Sequence, residues 1–340
     1  MEILNLTQMR EKKWPVVEPI ISGGLLLPRA RLLIAGKYKA KKSFLTIQAS
    51  LEMAAGRPFL GTFEVRHPVS VLYVNAEISE HSFVVERVLP MSEQYPEADG
   101  RFHEAFTNYR LKLSEKDWPT WVEAIQIAKA QVLVVDPLAE VAMGDENSKT
   151  DAQRAGDFLN SLITETGVSV ILIHHESKDL FYEGRRVDRG WDAVRGSSYW
   201  PGWLDSGIRI TRVPDKGIYH LAFLTRHTKE PDPLELMWDE QTKLFMPAKE
   251  QGMSLELLRR EFDSDVILEQ DLVTAVSIHG LVHPMTVKRA INGLVARGEV
   301  EREVWIKDKR KHILRKTGSW GSLRLETPAS TSRRPENTPS

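Results

Sequence analysis

Four short apolar runs, each closing on polar residues, constrain this chain more than any other feature. They are "RLLIA" (31–35), which leads into Gly36, "VSVLYVNAE" (69–77), "QVLVVD" (131–136) and "VSVILIHH" (168–175). Each is rich in Val, Ile and Leu with little polar alternation, the pattern of strands covered on both faces of a parallel sheet. Helix-like stretches lie at 43–55, 79–89, 117–129 and 149–166. Strand followed by helix, repeated, predicts an α/β fold with a mostly parallel sheet between helices. Strand candidates at 206–213, 219–226 and 234–239 extend the sheet.

Open α/β sheets bind ligands beyond the carboxyl ends of their strands, and the polar residues fall there. The first run enters "GKYKAKKS" (36–43). The phosphate-binding loop G-x-x-x-x-G-K-[ST] is matched at Gly36, Lys42 and Ser43, while Lys41 replaces the second glycine. The loop and helix start at Gly36, Ala40, Lys41, Lys42, Ser43 and Phe44 are expected to cradle ATP. Lys42 would reach the β- and γ-phosphates and Ser43 would bind Mg²⁺. A lysine-rich surface turn would look similar. Lys41 suits the site only if its side chain leaves on the solvent side, since a glycine keeps Cβ atoms off the phosphate.

The other runs end in matching chemistry. Glu77 can polarise the attacking water, or serve as an acid at a helix start. Asp136 can hold Mg²⁺ through water, or be a turn residue before Pro137. His174 and His175 can sense the γ-phosphate. A metal site is the rival, but adjacent strand residues point to opposite faces.

The order of these elements resembles RecA-type motor ATPases, in particular RepA-like hexameric helicases of plasmids, phages and mobile elements. The resemblance spans roughly residues 20 to 240. It is carried by "LLIAGKYKAKKSFLTIQASLEMAAGRPFLG", "VLYVNAE", "VLVVDPLAEVAMGDENS", "VILIHHESK", "RGSSYWPGWLDSGIRI" and "LTRHTKEPDPLELMWD". It implies Glu77 as catalytic glutamate, Asp136 as the Mg²⁺ aspartate and a histidine sensor. Arg226 resembles an arginine finger given to a ring neighbour, with Arg195 and Arg209 as rivals. It also implies a homo-oligomer, a hexamer in the leading reading, and DNA as partner, with a primase or polymerase alongside.

RecA-like motors place a DNA-binding loop after the sensor strand. Here that loop carries Lys178, Arg185, Arg186, Arg189 and Arg195 among Phe181, Tyr182 and Trp191. Cations for phosphates and rings for bases suit a single strand in a ring channel. Asp179, Glu183, Asp188 and Asp192 offset much of that charge.

The texture changes at 247–254. We read 1–15 as an N-terminal arm, 16–246 as the ATPase domain, 252–317 as a winged helix and 318–340 as a disordered tail. Three helix-like segments precede a hairpin at 301–317. Lys288 and Arg289 lie off the apolar face of the third helix, and Lys309 and Arg310 lie at the hairpin tip. A recognition helix plus a basic wing suits duplex DNA, and protein docking is the alternative.

Composition excludes some classes. Net charge is −1, so nucleic acid must be met by local patches. The chain has no cysteine, which removes disulfides and thiol catalysis. No apolar segment reaches membrane-spanning length, and the expectation is a cytoplasmic protein without membrane contact. The leading function is an ATP-driven DNA helicase or translocase. The alternatives are a recombination or repair accessory ATPase, and a DNA-binding replication or regulatory factor that uses nucleotide as a switch.

Overall fold

The apolar runs become strands. β1 (Arg31–Gly36), β2 (Val71–Asn75), β3 (Phe102–Phe106), β4 (Val132–Asp136) and β5 (Ser169–His175) are joined by helices, including Lys42–Ala55, Trp118–Ile127 and Lys149–Thr166. A small hairpin of β6 (Leu180–Tyr182) and β7 (Arg185–Val187) follows. β8 (Ser206–Arg212), β9 (Ile218–Thr225), β10 (Leu234–Trp238) and β11 (Phe245–Pro247) complete a nine-stranded sheet. Its order is β11-β10-β9-β8-β1-β5-β4-β2-β3. Pairings from β8 through β1 to β3 are parallel, and β8 to β11 pair antiparallel. The expected α/β class with a mostly parallel sheet is the fold found. This computed structural model describes residues 3–107, 110–145, 148–176, 180–182, 185–187, 190–194, 199–213, 217–248, 255–280, 284–296, 298–307 and 311–317.

Period-two alternation divides the core into two layers. Ile34, Tyr73, Val134 and Ile173 face the layer that contains the Lys42–Ala55 helix. Leu33, Val74, Val135 and Leu172 face the layer of Trp121 and Leu159, from the next two long helices. β3 is not anticipated by the sequence pattern. Its residues "FHEAF" are half-buried at the sheet edge, so no continuous apolar run marks them.

The Lys42–Ala55 helix is buried on nearly every side, including polar Gln48 and Glu52. Gln48 Nε2 donates to Phe245 O (3.1 Å), and Gln48 Oε1 accepts from Phe245 N (2.7 Å), tying the helix to β11. Glu52 accepts from Gln48 Nε2 (3.1 Å), Tyr95 Oη (3.0 Å) and Leu60 N (3.0 Å). Burial nevertheless raises its pKa to about 7, against those three donors. The folded state therefore binds the Glu52 proton more tightly than the unfolded state. Its stabilising effect is full below the ordinary carboxylate range and is lost as pH rises through 7. Denaturant melts of the wild type are expected to weaken from pH 5 to 8. Glu52→Gln should flatten that slope, and an unchanged slope would place the dependence elsewhere.

Beyond β11, helices Leu255–Glu261, Glu269–Gly280 and Pro284–Ala296 pack with β12 (Val266–Leu268), β13 (Val300–Val304) and β14 (His312–Lys316). These strands form an antiparallel sheet in the order β12-β14-β13. Leu258, Phe262, Leu272, Val276, Val287, Ile291 and Leu294 form its own apolar cluster. β12 is a third strand beside the expected hairpin. The segment expected to be an arm carries a short helix, Leu6–Glu11, started by an Asn5–Gln8 capping box. The tail at 318–340 lies outside the described residues.

Candidate nucleotide site

Register gathers the strand ends. Gly36 of β1 lies beside His175 of β5, and Asn75 of β2 lies beside Asp136 of β4. At Gly36 an added Cβ would sit 2.6 Å from Ile210 O on β8, so the close approach of β8 requires glycine. The chain then turns into the Lys42–Ala55 helix. Lys39 (φ 62°) and Lys41 (φ 61°) are both left-handed. A lysine thus adopts the conformation a glycine would supply, at about 1–2 kcal/mol of strain. Lys41 is the helix N-cap and makes no side-chain cap bond. The first-turn N–H groups then need other acceptors, and an anion's oxygens suit them.

The Lys41 side chain runs to β10. Its Nζ lies 3.8 Å from the Trp238 ring centroid and 3.9 Å from Glu240 Oε1. Desolvation lowers its pKa. Lys41→Gly is expected to preserve ATP affinity, because that ammonium is engaged by Trp238 and Glu240. A tenfold rise in Kd, about 1.4 kcal/mol, shared by Lys41→Ala would show that Lys41 reaches the triphosphate after all.

Lys42 is buried. Its Nζ donates to Gly36 O (2.9 Å) and Lys37 O (3.0 Å) and stands 3.1 Å from His175 Nδ1. Desolvation lowers its pKa to about 8, opposed by the charges of Asp136, Glu77 and Glu176. Asp136 Oδ2 accepts from Tyr73 Oη at 2.5 Å, and the Ser43 hydroxyl is near enough to favour the ionised carboxylate. Asp136 Oδ1 is buried without a hydrogen-bond partner, and burial raises the Asp136 pKa. An unsatisfied carboxylate oxygen beside a hydroxyl is a donor pair suited to a hard cation, so these residues fit Mg²⁺.

Glu77 follows β2 in an exposed turn. Asn75 Nδ2 donates to Ile78 O (3.0 Å) and Asn75 Oδ1 accepts from Ile78 N (3.3 Å), which clamps the turn. Desolvation first and the Asp136 charge second raise the Glu77 pKa. The two histidines diverge. His175 faces Lys42, whereas His174 is buried on the other layer, 6.0 Å from the Trp200 ring.

A profile of the AAA domain family matches residues 5–180. The chain belongs to the AAA domain family. Membership implies nucleotide binding, usually with Mg²⁺. No curated protein matches the sequence. Solved structures similar to this AAA domain protein include a KaiC-like protein from Pyrococcus horikoshii, at 13% identity, over 68% of this chain and 94% of that one, with a TM-score of 0.46. The RadB recombinase is similar at 17% identity over 65% and 92%, with a TM-score of 0.42. A third solved structure, an ATPase domain, is similar at 12% identity over 65% and 85%, with a TM-score of 0.49.

Tyr73 and Arg87, neither of them a candidate from the sequence, also bear on these side chains. Tyr73 interrupts an apolar run, and period two places it on the face of the Lys42–Ala55 helix, where it holds Asp136. Arg87 lies in a π-helical turn, Val84–Val88, with its guanidinium 4.9 Å from the Phe44 ring centroid. Its charge opposes the rise in pKa that burial gives Asp136 and Glu77. Phe44 itself packs edge-on against Trp238 at 4.9 Å.

The remaining candidates scatter. Arg226 is exposed and its Nη2 donates to Gly202 O (2.6 Å) and Pro201 O (3.3 Å). Arg209 is buried in an ion pair with Glu176 (2.7 Å) and so is not presented to a neighbour. Arg185 and Arg186 lie on β7. Lys178, Arg189, Arg195, Lys309 and Arg310 lie outside the described residues, as does the side chain of Arg289. Trp191, expected among base-stacking rings, packs against Gly207, where a Cβ would meet its ring at 2.4 Å. Lys288 turns toward the core and donates to Gln94 Oε1. No described helix is long and apolar enough to cross a membrane.

Proposed function

We propose that this AAA domain protein is an ATP-driven DNA motor that works as a ring, a hexameric helicase or translocase serving replication of a plasmid, phage or mobile element. The observation that carries the reading is the convergence of Lys42, Ser43, Asp136, Glu77 and His175 at one edge of the sheet. Lys42 leaves its loop carbonyls for the β- and γ-phosphates, where its charge is better compensated. Ser43, and the unpartnered Asp136 oxygen through water, would hold Mg²⁺. Bound there, Mg²⁺ would neutralise charge on the phosphate oxygens. Tyr73 fixes the Asp136 carboxylate, so its second oxygen keeps one direction. Glu77 accepts a proton from the attacking water. His175, within reach of Lys42, reports the state of the γ-phosphate to the segment after β5.

Arg226 is the proposed finger in trans, because it is exposed and its present acceptors are only backbone carbonyls. The loop at 176–198 meets single-stranded DNA. The unit at 252–317, read as a winged helix, meets duplex DNA, with 16–246 as the motor domain.

DNA-stimulated ATP hydrolysis tests the motor, and strand displacement on a fork separates it from a nucleotide switch. Arg226→Ala should bind ATP without hydrolysing it. Mixed with Lys42→Ala, it should recover activity, since one subunit supplies the site and the other the finger. No recovery in verified mixed assemblies would remove Arg226 from the role.

A further inference from the structure

The Lys42–Ala55 helix ends at Gly56, and the next residue links the core to the C-terminal unit. Arg57 is buried. Its guanidinium donates to Gln94 O (2.9 Å), Glu97 Oε1 (2.5 Å) and, across the seam, Thr274 Oγ1 (3.0 Å). Beside it Lys288, on the third helix of the unit, donates to Gln94 Oε1. The seam is otherwise hollow. Cavities of about 710 and 550 Å³ open along it, lined by Arg57, Gln94, Glu97, Thr274, Lys288 and Lys311 among others.

Three features make this contact easy to part. The unit keeps its own apolar cluster, separate from both layers of the core, so opening need not break that cluster. A seam joined by polar contacts behaves like a transient interface, for which relative motion is the default. The contact is also imperfect: Arg57 Nε and Glu97 Oε2 are buried without hydrogen-bond partners. Buried polar atoms left unpaired raise the free energy of the closed form. Lys288 is half-buried, and desolvation lowers its pKa, so its ammonium gains on moving to an anion.

We propose that this is a closed position in which the core holds Lys288 through Gln94, and that duplex DNA binds the unit by opening the seam and taking Lys288 for a phosphate. The proposal rests on the duplex-DNA reading of the unit. It adds that the ATPase core competes with DNA for the same lysine through Gln94, whose backbone carbonyl accepts from Arg57 just past the Lys42–Ala55 helix and its cap.

Because the chain lacks cysteine, the seam can be locked at chosen positions. Full-length Glu97→Cys/Thr274→Cys protein would be joined across the seam by a reducible bismaleimide, and duplex affinity measured before and after reduction. The locked form is expected to bind duplex at least tenfold more weakly, about 1.4 kcal/mol, with full recovery on reduction. The slope of log Kd against log salt should be shallower by about one when locked, the loss of one phosphate contact. Gln94→Ala, which releases Lys288 without removing it, should tighten duplex binding in the uncrosslinked chain. Equal duplex affinity in locked and reduced forms would overturn the closed position alone. Failure of the reduced form to bind duplex at all would overturn the DNA reading of the unit, and the proposal with it.

Discussion

Glu77→Gln is expected to bind ATP with wild-type affinity and to lose about 10²-fold or more in turnover. The substitution keeps the shape of the clamped turn, because Asn75 and Ile78, not the Glu77 carboxyl, make its hydrogen bonds. It removes only the acceptor for the water's proton. The raised pKa of Glu77 sharpens the test, since a partly desolvated carboxylate beside Asp136 holds a proton more firmly than an isolated one. Turnover should therefore fall on the acid side as Glu77 protonates, and the glutamine variant should lose that limb. A variant with wild-type turnover would make Glu77 a turn residue and send the search for the base elsewhere.

Lys42→Ala is expected to abolish ATP binding while leaving the ligand-free fold intact. In the ligand-free protein this ammonium is a desolvated cation with a pKa near 8, so its removal relieves a burial penalty as well as deleting its hydrogen bonds. The clean readout is thermal: ATP should raise the melting temperature of the wild type and not that of the variant. A pH series gives the sign. The unfolded lysine holds its proton more tightly than the folded one, so ligand-free stability rises from pH 8 toward 10.5. Affinity runs the other way. A bound triphosphate raises the Lys42 pKa, so binding is full below about 8, falls by up to tenfold per unit as pH rises from there to the bound pKa, and levels off above it. Wild-type affinity for ATP in Lys42→Ala would dismiss the site.

Much of this was legible because strands buried on both faces cannot hide. β1, β2, β4 and β5 are unbroken apolar runs, and each delivers its polar residues to the same edge. β3 and β12 were not legible, since a half-buried edge strand and a three-residue strand carry too few apolar positions to show a period. Sequence placed Lys41 in the loop but could not say where four methylenes would carry its ammonium. That depends on Trp238, nearly two hundred residues away, which only tertiary packing brings near. The same holds for Trp191 and Lys288, whose packing no sequence pattern gives. In the fold one packs on Gly207 and the other meets Gln94.

The end of β5 also joins the two layers of the core. His174 and His175 are consecutive on one strand, with one ring in each layer of the core, the first near Trp200 and the second near Lys42. A strand paired to β1 through His175 cannot stretch between these two residues. His175 at the nucleotide side and the aromatic cluster of His174, Trp200 and Trp203 on the opposite face therefore share one short stretch of backbone. That cluster borders Pro201 and Gly202, the carbonyls that hold Arg226. The side chain at the nucleotide edge and the carbonyls that hold Arg226 are thus joined through two consecutive residues of one strand and the short helix Tyr199–Trp203.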